Sequence, residues 1–307
     1  MKEWIGTTDV AIDVPTVVSI GKFDGEHKGH QKILKTMKEI ASWEGYATAI
    51  FTFGTPPAAV VEGNLRPQID TNEERRERLR EAGIMYIVEY PFTQETASMS
   101  GEDFIRSVLI GKMNMKAIVA GPDCSFGKDR SGNAALLEKL GPVLGFRTVI
   151  IQKEKDDGRD ISSTYIREEL MRGDIQKANE LLGSPYFVEG TVREGNHIGG
   201  PVLGFPTVNV AAPAGKLLPR SGVYETRVIL SDHREIRGVT NVGGNPSVSG
   251  DRQNHVPRVE TFLLDFSGNL YGQKIRIEFY RFLRPEIKFD SLESLRAQIE
   301  KDVKCLK

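Results

Sequence analysis

The chain has 307 residues, of which 39% are hydrophobic and 27% charged, with a formal net charge of −1. That length favours two domains over one, and the near-zero charge speaks against nucleic acid or an anionic membrane as partner. Two cysteines, no apolar leader among the first residues and no run of the ~18–20 apolar residues a membrane span needs point to a cytoplasmic protein acting on small molecules, with the oligomeric state left open.

The first informative stretch is Val17-Val18-Ser19-Ile20, a short apolar strand, followed by Gly21 and the turn Phe23-Asp24-Gly25-Glu26-His27-Lys28-Gly29-His30. Beyond it Ile33, Leu34, Met37, Ile40 and Ala41 recur at helical spacing. Strand, glycine-rich turn and helix in this order place two imidazoles at a helix start. Unpaired backbone N–H groups and the positive end of the helix dipole make that position an anion site. Two histidines three residues apart can face one bound phosphate, whereas a metal reading lacks a third His or Cys nearby.

The chain then alternates. Ala47 to Phe53 reads as a strand buried on both faces. Asn72 is expected to cap a charged helix through Arg80 that Gly83 ends, and Ile84 to Glu89 forms the next strand. Ser100 with Asp103 opens a helix carrying Phe104, Ile105, Val108 and Leu109. Strand Ala117 to Ala120 leads into a glycine-rich loop, Gly121 to Gly132, and then a helix (Ala134 to Leu140) and a strand (Arg147 to Ile151). This alternation predicts a parallel sheet with helices on both faces, and such sheets bind ligands beyond the carboxyl ends of their strands. The segment Ile161-Ser162-Ser163-Thr164-Tyr165-Ile166-Arg167 follows. Ser163 or Thr164 can cap its helix, and Arg167 can fork onto phosphate oxygens.

A domain boundary is expected at Gly183–Pro185, giving domains 1–183 and 184–307. Beyond it the pattern turns to strands: Phe187 to Val192, Val208 to Val210, Tyr224 to Leu230, Val239 to Val242, Val259 to Phe266 and Ile275 to Phe282. Ile275, Ile277 and Phe279 alternate with polar neighbours, so this half is an antiparallel barrel or sandwich. Ser291 to Lys307 reads as a packing helix through Leu292, Leu295 and Ile299.

Gly21 to His30 closely resembles the HxGH nucleotidyltransferase signature, in the form found in the prokaryotic bifunctional riboflavin kinase/FMN adenylyltransferase (FAD synthetase) family. Phe53 to Pro57 is similar to the family's strand-end segment. Gly121 to Lys128 is similar to its glycine-rich loop, with Cys124 where an aromatic is usual, and Ile161 to Arg167 to its ISSTxIR segment. In the second half Gly204-Phe205-Pro206-Thr207-Val208-Asn209 resembles the flavokinase PTxN motif, and Val259-Glu260 the glutamate-bearing strand. The sequence departs from the family at Pro201, usually arginine, at Asn245-Pro246-Ser247, usually Arg-Pro-Thr, and at Val208, usually alanine.

The resemblance implies a Rossmann-like α/β adenylyltransferase domain that moves AMP from ATP to FMN, giving FAD and pyrophosphate. It also implies a riboflavin kinase-like β-barrel that phosphorylates riboflavin. An adenylyltransferase with a merely flavin-binding barrel is the alternative. By position, Gly21, Phe23, Asp24, Gly25, His27 and His30 would contact ATP, and Ser163, Thr164 and Arg167 would hold its β- and γ-phosphates. Asp123 and Phe126 would face the flavin or loop side of that site, with Lys128 and Arg130 nearby. In the kinase module Gly204, Thr207 and Asn209 would bind ATP, Thr207 and Asn209 would hold Mg²⁺, and Glu260 would be the general base. Cys124 is read either as an oxidant-sensitive thiol or as a small apolar filler.

Overall fold

The computed structural model describes residues 1–55, 63, 66–193, 207–243 and 258–306, and the chain divides into two compact units, Met1–Ser163 and Thr164–Lys307. In the first unit six strands form one parallel sheet in the order β1-β4-β3-β2-β5-β8. They are β1 (Lys2–Ile5), β2 (Thr16–Ile20), β3 (Ala47–Phe53), β4 (Tyr86–Tyr90), β5 (Met115–Ala120) and β8 (Arg147–Ile150). Two short antiparallel ribbons, β6 (Ser125–Phe126) with β7 (Gly132–Asn133) and β9 (Lys155–Asp156) with β10 (Arg159–Asp160), stand apart from this sheet. β1, a short edge strand pairing with β4 from Lys2↔Tyr86 to Ile5↔Glu89, carries no pattern of its own in the sequence.

Both faces of the sheet are covered, as expected. On one face α1 (Lys28–Glu44) and α2 (Asn72–Glu81) pack Leu34, Met37, Ile40 and Leu79 against Val17, Ile50, Ile87 and Val119. On the other, the segment Gly101–Phe104 (α4, following α3 at Gln94–Ser98) and α5 (Ala134–Leu144) pack Phe104, Leu137 and Leu140 against Val18, Phe51, Val88 and Ile118. α4 continues into a π-helical turn, Ile105–Ile110, whose Ile105, Val108 and Leu109 are buried. Strands two-sided in this way lose their polar alternation, which is why β3 reads as a continuous apolar run.

The cap of α2 differs from expectation. Thr71, not Asn72, is the N-cap: its hydroxyl accepts the Glu74 N–H at 3.2 Å and the Glu74 carboxylate accepts the Thr71 N–H at 2.8 Å. Asn72 is the first helical residue and its side-chain amide donates to the Gly54 carbonyl at 2.8 Å. A complete capping box satisfies two orphan donors at once, which a lone Asn cannot do. At Ser100 the expected cap is present, its hydroxyl accepting the Asp103 N–H at 3.1 Å.

The second unit is a closed antiparallel barrel in the order β11-β12-β15-β14-β13-β16. Its strands are β11 (Tyr186–Arg193), β12 (Thr207–Ala211), β13 (Gly222–Ile229), β14 (Glu235–Gly243), β15 (Arg258–Leu263) and β16 (Lys274–Arg284). Of the two open readings, barrel or sandwich, closure into a barrel is what forms, and closure removes sheet edges. Val188, Val208, Val210, Val228, Ile275, Ile277 and Phe279 are buried, and Thr226, Thr240 and Thr261 form a buried chain of hydroxyl hydrogen bonds at 2.7 and 2.8 Å. The last helix, α8 (Leu292–Lys304), packs Ile299 and Val303, with Leu306, over Val223, Val239 and Phe262. Arg284 holds it through three hydrogen bonds to Asp302 at 2.7–3.1 Å.

The division after Ser163 lies ahead of the boundary expected at Gly183–Pro185. Helices α6 (Ser163–Arg172) and α7 (Ile175–Leu182) are bonded to the barrel: Asn179 donates to the Phe279 carbonyl at 2.8 Å and accepts the Tyr186 N–H at 2.8 Å, and the Arg220 N–H donates to the Leu170 carbonyl at 2.9 Å. Among the described residues no helix is long and apolar enough to cross a membrane.

Thr71→Ala should lower the stability of the first unit by about 1 kcal/mol, read as a downward shift of its transition in calorimetry, whereas Asn72→Ala should leave the capping box intact and cost less.

Candidate active sites

The strand order places β2 and β5 side by side at the point where the connections reverse direction, β2 to β3 and β4 on one side and β5 to β8 on the other. Ligands of open α/β sheets bind outside the carboxyl ends of the strands at such a point. The histidine turn follows β2 and the Gly121–Gly132 loop follows β5, so both sequence-selected segments of this unit flank it.

The turn is held by Asp24. Its buried carboxylate accepts two backbone N–H groups, from Ile69 at 2.7 Å and Asp70 at 3.1 Å. Its own carbonyl accepts the Ser163 hydroxyl at 2.7 Å. Ser163, expected as a cap or phosphate ligand, therefore also ties the start of α6 to the histidine turn. Gly25 sits at φ 68°, and a Cβ there would stand 3.0 Å from the Ile69 side chain, so both conformation and space demand glycine. Behind the turn, Arg75 donates to the Lys22 carbonyl at 3.3 Å and to Glu89 at 2.9 Å, and Arg76 donates to both Glu89 oxygens. This network was not legible in the sequence, where residues 72–81 read as an ordinary charged helix face.

His27 is the N-cap of α1 and its Nδ1 accepts the His30 N–H at 3.4 Å, leaving Nε2 to carry the proton. His30 turns Nδ1 to the Gly25 carbonyl at 3.1 Å. A carbonyl only accepts, so Nδ1 holds that proton and Nε2 presents a lone pair in the neutral ring. The rings stack with centroids 3.8 Å apart, and Phe23 packs its ring 4.9 Å from His30. Desolvation, then the neighbouring His30, lowers the His27 pKa to about 3. Desolvation lowers His30 to about 4, against the opposing hydrogen bond to Gly25 and the charges of Asp70 and Asp123. Both are neutral at physiological pH. Glu26, just ahead of His27, is pushed by desolvation up to about 7, with Arg78 opposing.

In the loop after β5, Asp123 is open to solvent and paired with Lys153 at 3.1 Å, which also reaches Asp160 at 3.3 Å. Phe126, expected on the flavin side, is buried in the core of this unit with its ring 5.5 Å from Phe104. Cys124 packs partly buried against the same cluster, and desolvation raises its thiol to about 11, which favours the apolar filler over a reactive thiolate. Lys128 and Arg130 stand in a short exposed 3₁₀ turn. Thr164 is exposed and Arg167 half-buried on α6.

On the barrel, Thr207 and Asn209 project to the same outer face of β12, and Asn209 pairs directly with Glu260 of β15. Glu260 keeps an open edge to solvent, yet desolvation raises its carboxyl above the ordinary range, with Arg258 opposing. Pro56 and Pro57 of the strand-end segment, Pro201, Gly204, Phe205, Pro206 and Asn245–Ser247 lie outside the described residues.

A parallel sheet with an HxGH turn at its switch point defines a nucleotidyltransferase-class domain, and the barrel with its Thr-x-Asn strand and opposed glutamate defines a second module. The FAD synthetase family profile matches residues 10–165 and the riboflavin kinase profile residues 182–307. A bifunctional riboflavin kinase/FMN adenylyltransferase of Listeria monocytogenes is 35% identical over 96% of this chain and 93% of its own. One of Bacillus subtilis is 35% identical over 94% and 90%. A crystal structure titled macrolide-efflux protein from Streptococcus pneumoniae superposes with a TM-score of 0.88 at 28% identity, covering 99% of this chain and 97% of that one. The chain belongs to the bifunctional riboflavin kinase/FMN adenylyltransferase family.

Two outcomes follow. The folded state binds fewer protons at His27 and His30 than the unfolded chain, so their contribution falls as pH drops below about 6.5. Relative to a His27→Gln/His30→Gln variant, the wild type should lose about 1–2 kcal/mol per histidine between pH 7 and pH 5, measured by denaturant titration at each pH. Iodoacetamide at pH 7.5 should label exposed Cys305 well before Cys124, read by peptide mass spectrometry.

Proposed function

We propose that the histidine turn performs adenylyl transfer from ATP to FMN and that the barrel row performs phosphoryl transfer from ATP to riboflavin, so that one chain takes riboflavin to FMN and FMN to FAD. The observation that carries the first reading is the stacked, desolvated His27–His30 pair held at a helix N-terminus by Asp24. In the transfer an FMN phosphate oxygen attacks the ATP α-phosphorus, the bond to the β-phosphate oxygen breaks, and pyrophosphate leaves. His27 donates from Nε2 to an α-phosphate oxygen. His30 takes a proton at Nε2 once the triphosphate's charge lies beside it, and then donates as well. Fixed donors in a dry site meet the developing charge without reorganising.

Ser163, Thr164 and Arg167 take the β- and γ-phosphates, and the Gly21–Gly25 backbone lines the nucleotide. Asp123 faces the same site from the β5 loop. Phe126 supports that loop from the core. On this assignment the functional modules are 1–183 and 184–307.

In the kinase module Glu260 accepts the proton of the riboflavin 5′-hydroxyl as its oxygen attacks the γ-phosphorus and ADP leaves. Thr207 and Asn209 offer hard oxygen donors, and among the described residues no cluster of three His, Cys, Asp or Glu competes as a metal site. That donor set fits Mg²⁺, which takes one or two protein ligands and completes its shell from phosphate and water. Held by Thr207 and Asn209, the ion would neutralise phosphate charge. The reducing cytoplasm suits the two free cysteines.

His30→Ala should lower FAD formation from FMN and ATP by about 10²-fold or more while leaving FMN formation from riboflavin within twofold, and Glu260→Gln should do the reverse, both followed by chromatography of flavin products. FAD synthesis near the wild-type rate in His30→Ala overturns the first assignment. A wild-type chain that makes no FMN from riboflavin reduces the barrel to a flavin-binding module.

A further inference from the structure

One row crosses the outer face of the barrel: Asn209 on β12, Glu260 on β15, Asn241 on β14 and Val223 on β13, each directly opposite the next. Side chains so opposed lie within contact reach, with Cβ atoms ~4.5–5.5 Å apart. Asn241 is thus flanked by the Glu260 carboxylate on one side and by apolar Val223 on the other. Its Nδ2 donates to Glu286 Oε1 at 3.1 Å, while its amide oxygen is shut off from water and has no hydrogen-bond partner among the described residues. Glu286 follows β16, whose Arg284 is opposite Val223, so it reaches Asn241 from the β13 side. A carboxylate only accepts, so the atom facing it is the amide N–H.

A second, independent feature shows that this seat for Glu286 is built. The space a side chain on Gly243 would fill is taken by the Glu286 carboxylate, two residues along β14 from Asn241. Any larger residue at 243 displaces it.

We propose that Glu286 is a positioning residue of the kinase site: by holding the Asn241 amide N–H it keeps that donor off the Glu260 carboxylate and leaves the carboxylate free to take the substrate's proton. The inference rests on Glu260 being the base. With Glu286 absent, no described residue on the β13 side satisfies the amide N–H, because Val223 opposite it is apolar. The amide then turns over and donates to Glu260. A hydrogen bond to a carboxylate stabilises its charged form and makes it a poorer proton acceptor.

The test is a double-mutant cycle on the full chain, comparing Glu286→Ala, Asn241→Leu and the double variant for riboflavin kinase kcat and riboflavin KM. FAD synthesis from FMN in the same preparations normalises the amount of protein, and the riboflavin KM reports that the barrel is folded. Glu286→Ala is expected to lower kcat by about ten- to hundredfold with KM within about threefold, a part of what a general base supplies. In the Asn241→Leu background, where residue 241 can no longer donate, the same substitution should change kcat by less than about twofold. Glu286→Gln, whose amide oxygen still accepts from Asn241, should recover most of the lost rate. Should Glu286→Ala fail to fold, Gly243→Ala displaces the carboxylate with both polar groups retained and should reproduce the kcat loss. An equal loss in both backgrounds, a Glu286→Ala rate within twofold of wild type, or a Gly243→Ala rate unchanged overturns the proposal. Glu260→Gln separates the two readings: if it stays active the base assignment fails, and if it is inactive while Glu286→Ala is not, only the role of Glu286 fails.

Discussion

The geometry of the histidine turn in the first unit depends on one carboxylate. Asp24 accepts two backbone N–H groups from the residues ahead of α2, and its carbonyl takes the hydroxyl at the start of α6. A buried carboxylate is tolerated only when donors surround it; here both of its donors stand 45 and 46 residues along the chain, while the Asp24 carbonyl is held by a hydroxyl 139 residues away. The turn between β2 and α1 is therefore fixed by three parts of the chain, and the histidines it carries inherit that rigidity. Arg75 adds a fourth tie through the Lys22 carbonyl and reaches the buried Glu89 of β4.

That rigidity has an electrostatic consequence. Packing the two rings against each other and against Phe23 strips water from them and holds them neutral. Desolvation thus costs stability in acid and, on the proposed assignment, gives preorganisation in the reaction. The barrel shows the same effect at Glu260, whose carboxyl is raised by desolvation against the opposing charge of Arg258.

The barrel's two faces divide its labour. Its interior carries the apolar core and the threonine chain, and its outer face is partly sealed by α8 and partly left to the polar row of Asn209, Glu260 and Asn241. Period-two alternation made the inner and outer residues of β16 readable, but the direct opposition of Asn209 to Glu260 depends on strand pairing between residues 51 positions apart.

Much of this was legible in the amino-acid sequence alone. The β-α alternation, the apolar run of β3, the HxGH turn between strand and helix, the Ser100 cap and the strand-rich second half all rest on local spacing, and local spacing is set by backbone geometry and hydrophobic burial. The resemblance of the Gly21–His30 and Thr207–Asn209 motifs carried the family assignment. What only the tertiary structure decided are the features made by residues distant in the chain: Thr71 rather than Asn72 as the cap, because Asn72 is drawn to Gly54; Phe126 as core rather than site, because Phe104 lies beside it; β1 as an edge strand, because β4 pairs with it; α6 and α7 grouped with the barrel, because Asn179 and Leu170 bond to it. Periodicity reports which face of an element is buried and is silent on what it is buried against, and charge along α2 looks the same whether Arg75 meets water or Glu89.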